Sequence, residues 1–394
     1  MLNIVYVFYF ILLILILFYL FFKYKYKFWI LQPVFHYYDI SYWFYDKGII
    51  NEHLPIKNKY VNVYDIKTCV VDDIVKKSDM QKFIFLIKKH YLRNKENKFY
   101  PESTNITPYF SGHNSPCFIS IFYEKQLLKD KTQDIIENKT MIGATSSRPL
   151  HVNFAEKSFD AYYVDYLCVD KTKRKMGIAP QIIQTHEYNQ RHSNHNIVVS
   201  LFKREGELTG IVPICVYNTH CFNLTHLKLS TAFPPSLKLL VLDSQNIHHL
   251  FHFIKNNIQQ FDLRIYPEMS NLLELVTSKN IKIFMVLDNQ DITAVYFFRK
   301  TCTFIEAKKE LLSCFASIKS NNISSELFVQ IFEYTLSTIS RYFGYVCVEN
   351  ISNNDIILTH WEKVYKPIVV SPCAYFFYNY AYHTLNPNKV LILN

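Results

Sequence analysis

YVDYLCVDKTKRKMGIAPQIIQTHEYNQ, residues Tyr163–Gln190, reads as a strand, a basic loop and a helix. The opening is apolar and β-branched or aromatic, as a buried strand requires. The loop holds Lys171, Lys173, Arg174 and Lys175, and the helix starts at Pro180. Proline suits a first helical turn, where its missing N–H costs no hydrogen bond. Gly177 lets the backbone turn tightly, and the free N–H groups of the first turn face outward, as an anion site needs. Only seven glycines occur in 394 residues, so one at this spacing carries weight.

Outside this unit, short apolar runs mark strands at Cys117–Tyr123, Asn196–Phe202, Ile211–Tyr217, Ile283–Leu287, Ala294–Phe298, Tyr345–Glu349 and Ala374–Tyr382. Helical periodicity marks Met80–Tyr91, Leu250–Asn257, Met269–Thr277 and Leu327–Phe343. Several strands follow one another directly, so the chain is a mixed α/β (α+β) protein rather than a regular βαβ repeat. A break falls near 223–240, around Pro234-Pro235. The hydrophobic share of 49% and aromatic share of 16% supply a large core and exclude a mainly disordered chain.

The net charge of +10 suits a polyanionic cofactor, nucleic acid or an anionic membrane surface. Nine cysteines, with no C-x-x-C pair, point to free thiols rather than a disulfide framework or a zinc site. His186, His192, His195, His248 and His249 lack partners at ligand spacing, so no metal is expected. The aromatic stretch Tyr37–Tyr45 reads as core or interface packing, not a base-stacking platform, and no nucleic acid is expected. Cys168 reads as a buried strand residue.

Ile4–Phe22 is an unbroken apolar run without charge or proline. Nineteen residues at 1.5 Å each give about 28 Å, close to a bilayer's hydrocarbon thickness. Residues 1–22 are therefore expected to be a single transmembrane anchor. Lys23, Lys25 and Lys27 follow it, so the positive-inside rule puts the remainder in the cytosol, with membrane lipid as a partner.

Several groups of residues carry a family resemblance. Arg174-x-x-Gly177-x-Ala179 has the pattern of the GNAT acyltransferases. Phe28-Trp29-Ile30-Leu31-Gln32-Pro33-Val34 resembles the FW-x-x-QPV motif of the N-myristoyltransferases. Asp165-Tyr166-Leu167-Cys168-Val169 resembles that family's NFLCV, with Ile178-Ala179-Pro180 standing where it has VAP. Tyr375–Tyr380 resembles YYLYNW, and Lys389–Asn394 resembles the final KVGLVLQ-type strand. Cys215-Val216-Tyr217 with Phe222-Asn223 resembles CRYWHRSLN, and Leu86–Phe99 resembles LLNENYVEDDDNMF. The matches run in family order from residue 28 to residue 394.

The resemblance implies two fused GNAT-like halves around a saddle-shaped central sheet. Residues 23–225 would bind acyl-CoA and 226–394 would carry most of the peptide groove. It implies transfer of myristate from myristoyl-CoA to an N-terminal glycine of peptides or proteins. Lys27, Phe28 and Trp29 would meet the head of the acyl-CoA, and Tyr166, Leu167, Cys168 and Val169 would line the thioester. Arg174, Lys175, Gly177, Ile178 and Ala179 would hold the phosphates. The Tyr166 and Leu167 amides would form the oxyanion hole, and the α-carboxylate of Asn394 would be the base. Tyr91, Phe99 and Tyr217 would line the peptide groove. Asp165 replaces the motif's Asn, either as an auxiliary base or as a structural residue.

The chain departs from the family on the acceptor side. The acidic VEDDDN run is Leu92–Asn97, which is net basic, and the TAG segment is Lys203-Arg204-Glu205. GDGNL aligns with Val369–Cys373, and the histidine of CRYWHRSLN is Thr219. These changes leave two alternatives beside the family activity. One is a non-catalytic relative acting as a membrane-bound binding or structural protein. The other is an acyltransferase with another acyl chain or acceptor.

Overall fold

The computed structural model describes residues 2–74, 78–92, 97–129, 135–154, 157–206, 209–256, 258–305 and 309–394. The strands of the first part are β1 (Gly48–Ile49), β2 (Ile66–Val70), β3 (Asn97–Phe99), β4 (Phe118–Lys129), β5 (Ile135–Phe154), β6 (Ser158–Val169) and β7 (Val199–Glu205). Next come β8 (Cys215–Asn223), β9 (Leu237–Val241), β10 (Leu263–Tyr266), β11 (Ile281–Asp288) and β12 (Asp291–Ile305). The last are β13 (Lys309–Lys319), β14 (Phe343–Glu349), β15 (Val369–Tyr378), β16 (Tyr380–Ala381) and β17 (Val390–Ile392). The helices are α1 (Leu2–Lys25), α2 (Val71–Ile74), α3 (Ser78–His90), α4 (Ser103–Ile106), α5 (Ile178–Ser193), α6 (Ile247–Asn256), α7 (Met269–Thr277), α8 (Ser325–Ser340) and α9 (Asn354–Trp361).

Among the described residues, fifteen strands join one sheet. It contains the same device twice. The antiparallel strands β4, β5 and β6 lead through α5 to β7, which pairs parallel to β6. The antiparallel strands β11, β12 and β13 lead through α8 to β14, which pairs parallel to β13. A parallel neighbour needs a crossover helix, and α5 and α8 supply it. The two devices then exchange a strand. β15, from late in the chain, pairs with β7, while β8 pairs with β14, and β15 and β8 pair with each other. Residues 227–236, which include Pro234-Pro235, form an irregular connection.

Helix periodicity explains the packing. α3 buries Met80, Phe83, Ile84 and Ile87, one stripe at spacings of three and four, against Ile119, Ile121 and Tyr166. α8 buries Phe328, Phe332, Leu336 and Ile339 against Tyr296, Phe298 and Trp361. Its first turn is capped by Ser324, whose hydroxyl accepts from Leu327 N–H at 3.2 Å. Gly143 permits α5 to lie close on β5, since a Cβ there would stand 2.5 Å from Ile182 Cδ1. The stretch 37–45 folds back on Phe35 through Tyr42 and Tyr45, leaving Ile40, Trp43 and Phe44 exposed rather than in the core.

One expectation is corrected. α1 spans Leu2–Lys25, and its described side chains from Val5 to Phe21 are exposed. The run's ends, Ile4 and Phe22, lie outside the residues whose side chains are described. Among the described residues no helix is long and apolar enough to cross a membrane. The single-pass anchor, the membrane localisation with its cytosolic orientation, and the lipid partner inferred from them are not supported.

Candidate active site

The first half of the site is a β-bulge. In the β5–β6 pairing, Ser146 opposes Asp165 and Ala144 opposes Cys168, so Tyr166 and Leu167 together face one residue. Tyr166 takes φ +53°, in the left-handed region that non-glycine residues rarely adopt. The bulge re-aims the two amides while burying the Tyr166 ring near Phe83 and Tyr91, at centroid distances of 6.0 and 5.9 Å. Thr145 and Ser146 hydroxyls fix it by donating to the Asp165 carbonyl at 3.2 and 3.3 Å. Tyr166 N–H donates to Asp165 Oδ1 at 2.7 Å.

The second half is the end of the chain. β17 pairs parallel to β10, Leu393 N–H donates to Ile265 O at 2.7 Å, and Asn394 is buried. Arg299, on β12, donates from Nη1 to the main-chain oxygen of Asn394 at 3.0 Å and from Nη2 to Glu349 Oε1 at 3.2 Å. Glu349 also accepts from Lys203 Nζ at 3.0 Å, from the Tyr217 hydroxyl at 2.6 Å and from Ser313 Oγ at 3.3 Å. Burial opposes ionisation of all three charged side chains. Mutual attraction overrides it, holding Glu349 below the usual carboxylate range and Lys203 and Arg299 above their ordinary values. Glu205, 3.2 Å from Lys203, is largely exposed and screened by solvent.

Tyr109 joins the halves. It packs in one cluster with Leu391 and Leu393, and its ring lies 4.8 Å from the Arg148 guanidinium, which lies 3.8 Å from Asp165 Oδ2.

The residues expected to meet acyl-CoA lie on β6, on the loop and first turn of α5 that follow it, and on the segment 27–29. Trp29 stacks on Phe202 at 5.8 Å, and Phe28 packs edge-on to Trp29 and Tyr60. Gln32 ties this segment to β15, accepting from the Tyr378 hydroxyl at 2.7 Å. Lys27 is exposed, with its ammonium 4.0 Å over the Tyr24 ring. Cys168 and Val169 are buried, and burial pushes the Cys168 thiol up to about 12, so it is no nucleophile. Gly177 caps α5 at φ +77°, which explains glycine there, and Lys175 beside it is exposed. Ile178 and Ala179 open the helix. Arg174 is turned inward, donating to the carbonyls of His90 and Val169, and Lys173 pairs with Glu124 at 2.6 Å.

Tyr91 lies against Phe99 at 5.3 Å and against Tyr166, so these two expected groove residues meet at the bulge. Tyr217 belongs instead to the Glu349 network. Of the substituted acidic run, residues 93–96 lie outside the described residues. Sequence reading missed Tyr109, Arg148, Arg299 and Glu349 as site residues. The available signal was a charge embedded in apolar strand sequence, as at Arg299 directly after Val295–Phe298. His186 is not a ligand but a buried link between the hydroxyls of Ser120 and Ser147, at 2.8 and 2.9 Å. Among the described residues no cluster of three or more His, Cys, Asp or Glu side chains could hold a metal ion.

Residues 51–215 match the family model described as Myristoyl-CoA:protein N-myristoyltransferase, N-terminal domain. No curated protein matches the chain. Among solved structures, the fold is similar to that of Saccharomyces cerevisiae N-myristoyltransferase with bound myristoyl-CoA. The TM-score is 0.69 at 14% identity, over 91% of this chain and 94% of that one. Another structure of the yeast enzyme with bound myristoyl-CoA gives 0.72 at 13% identity, over 92% and 90%. A third, with myristoyl-CoA and inhibitors, gives 0.71 at 13%, over 91% of each chain. Residues 51–215 therefore match the N-terminal domain model of the N-myristoyltransferases, and the chain shares the fold of the yeast enzyme over nine-tenths of its length.

Proposed function

We propose that this protein transfers myristate from myristoyl-CoA to the amino-terminal glycine of acceptor proteins. The observation that carries the reading is the meeting of the bulged Tyr166–Leu167 segment with the buried Asn394 end across Tyr109. One side offers main-chain donors for a carbonyl oxygen that gains charge, and the other offers an oxygen base. The two halves, 23–225 and 226–394, each contribute one side.

In this mechanism the CoA diphosphate rests against the first turn of α5, with Lys175 and the Gly177 turn supplying charge and approach. The thioester carbonyl points at the amides of residues 166 and 167. The terminal carboxylate of Asn394 takes a proton from the acceptor ammonium. The free amine attacks the thioester carbon, the C–N bond forms, and the carbonyl oxygen carries the negative charge. Collapse breaks the C–S bond, and the CoA thiolate leaves with the second proton that the nitrogen sheds as it becomes an amide. Arg299 holds the carboxylate in place, and Glu349 balances the Arg299 charge so that the terminal oxygen stays basic.

The test is incubation with myristoyl-CoA and a panel of peptides beginning with glycine, read by mass. A gain of one myristoyl group on glycine peptides, absent when the first residue is alanine, supports the reading. No transfer to any glycine peptide overturns it.

A further inference from the structure

The Tyr166 amide carries a feature that its proposed task does not require. Its hydrogen is directed at Asp165 Oδ1, 2.7 Å away, and the same oxygen receives the Tyr91 hydroxyl at 3.4 Å. An amide already donating to a carboxylate offers little to a developing oxyanion. A carboxylate at that point also repels it. The other Asp165 oxygen, Oδ2, lies 3.8 Å from Arg148 Nη1, beyond hydrogen-bond reach.

Arg148 is built for a partner it does not yet grip. It is only 2% exposed, and Nη1 has no hydrogen-bond partner among the described residues. The Tyr109 and Tyr163 rings each lie 4.8 Å from its guanidinium carbon and fix it in place. A buried cation held only by a long ion pair is costly, and the carboxylate that forms it, Asp165, stands 3.8 Å away. A turn of the Asp165 side chain that closes the gap by about 1 Å would give a charge-assisted bond of ordinary length. The same turn would release the Tyr166 N–H.

We propose that Asp165 is a gate on the anion site and that Arg148 is the positioning residue that opens it. The carboxylate caps the Tyr166 amide until a thioester carbonyl displaces it, and it then docks on Arg148. No bond to the substrate is involved, only exchange of one acceptor for another at the amide. The proposal deepens the transfer reading and rests on it.

A double-mutant cycle tests it with Arg148→Met and Asp165→Asn. Arg148→Met should lower kcat about tenfold or more while leaving myristoyl-CoA affinity within about twofold, since a charge-assisted contact is lost only at the reacting carbonyl. In the Asp165→Asn background there is no charge to hold away, so the same change should have almost no effect. Equal losses in both backgrounds would overturn the gate, because a merely structural Arg148 would produce them. The infrared carbonyl stretch of bound 13C-thioester myristoyl-CoA gives a readout independent of turnover. It should lie lower in wild type and in both Asp165→Asn proteins than in Arg148→Met alone. If the wild type shows that pattern but transfers nothing, the transfer reading fails and the gate stands. If the stretch is the same in all four proteins, the gate is wrong whatever the activity. Should Arg148→Met not fold, Arg148→Lys replaces it and must show a smaller loss of the same kind, again cancelled by Asp165→Asn. An uncancelled loss rejects the proposal.

Discussion

Arg299 donates to the main-chain oxygen of Asn394 at 3.0 Å and so ties the segment after β17 to the middle of the sheet. Its other terminal nitrogen reaches Glu349, which also takes the Lys203 ammonium. Two partly buried cations from β7 and β12 thus share one buried carboxylate at the end of β14. The strand exchange in the sheet brings these positions together, since β7 reaches β14 through β15 and β8.

Removing the shared anion should be expensive. Glu349→Gln leaves Arg299 and Lys203 partly buried and undercompensated, and a loss of about 2–4 kcal/mol, below the figure for a fully buried pair, is expected by urea unfolding. The pH dependence has a definite sign. The folded-state pKa of Glu349 is depressed, because attraction to Lys203 and Arg299 overcomes the effect of burial. Its contribution is therefore complete above the ordinary value of 4.5 and is lost as pH falls through the lower folded value. The wild type should lose more stability than the variant on acidification below that point. Parallel acid profiles would show that the network does not stabilise the fold.

His151 sets the opposite dependence. Hydrogen bonding to Asp160, at 2.7 Å, and to Glu268, at 3.0 Å, raises it to about 9 against the effect of burial. A raised base contributes fully below its ordinary value of 6.5 and loses that contribution as pH rises through about 9. After allowance for solvent screening of this half-buried group, about 1 kcal/mol should disappear over that interval. His151→Gln should flatten the decline, read as unfolding midpoints at several pH values. An unchanged slope would assign the decline elsewhere.

Lys175 and Arg174 should separate by role, although they adjoin in the basic loop. Lys175 is exposed, and reversal to Glu should weaken myristoyl-CoA binding about tenfold with stability intact, since the contact is charge-assisted. Arg174 holds the carbonyls of His90 and Val169, so Arg174→Gln should cost about 1–3 kcal/mol of stability. Calorimetric titration and urea unfolding of both variants check this. Equal effects on both quantities would remove the distinction.

Pattern made the longer helices of the sheet's faces legible, and α7 falls over Met269–Thr277 as periodicity predicts, whereas the eight-residue α9 at Asn354–Trp361 was not foreseen. Strand β5 was not, and the reason is physical. Its centre reads Thr145-Ser146-Ser147-Arg148-Pro149, a polar run typical of a loop, yet these polar residues are buried. Their partners are distant in sequence: Ser147 meets Gln190 and His186, and Arg148 meets Tyr109 and Asp165. Local composition cannot report such partners. β8 was placed several residues early, over Ile211–Tyr217 instead of Cys215–Asn223, because the apolar run ends before the strand does. The bulge at Tyr166 was legible as a motif, but its occupant Asp165 was visible only in three dimensions.

The end of the chain offers the sharpest test of the mechanism, because the proposed base is a main-chain group. An intact mass must first place the last residue at Asn394, and a longer chain would remove the base altogether. With that established, deletion of Leu393 and Asn394 withdraws the carboxylate by about 6–7 Å at the strand rise of 3.3 Å. It also frees Arg299 Nη1 of its acceptor and removes Leu393 from its cluster with Tyr109. Extension by one residue instead puts a peptide bond where the charge should be. Both changes should reduce turnover by at least about a hundredfold, at the low end of what a general base contributes. Myristoyl-CoA affinity should hold, because neither change alters α5 or the loop before it. Asn394→Gln should leave the rate within about threefold, since the Asn394 side chain accepts from Arg299 only at 3.4 Å. Turnover retained after extension would show that the terminal carboxylate is not the base, and attention would pass to Asp165. A large loss in Asn394→Gln alone would move the role from the main chain to the side chain.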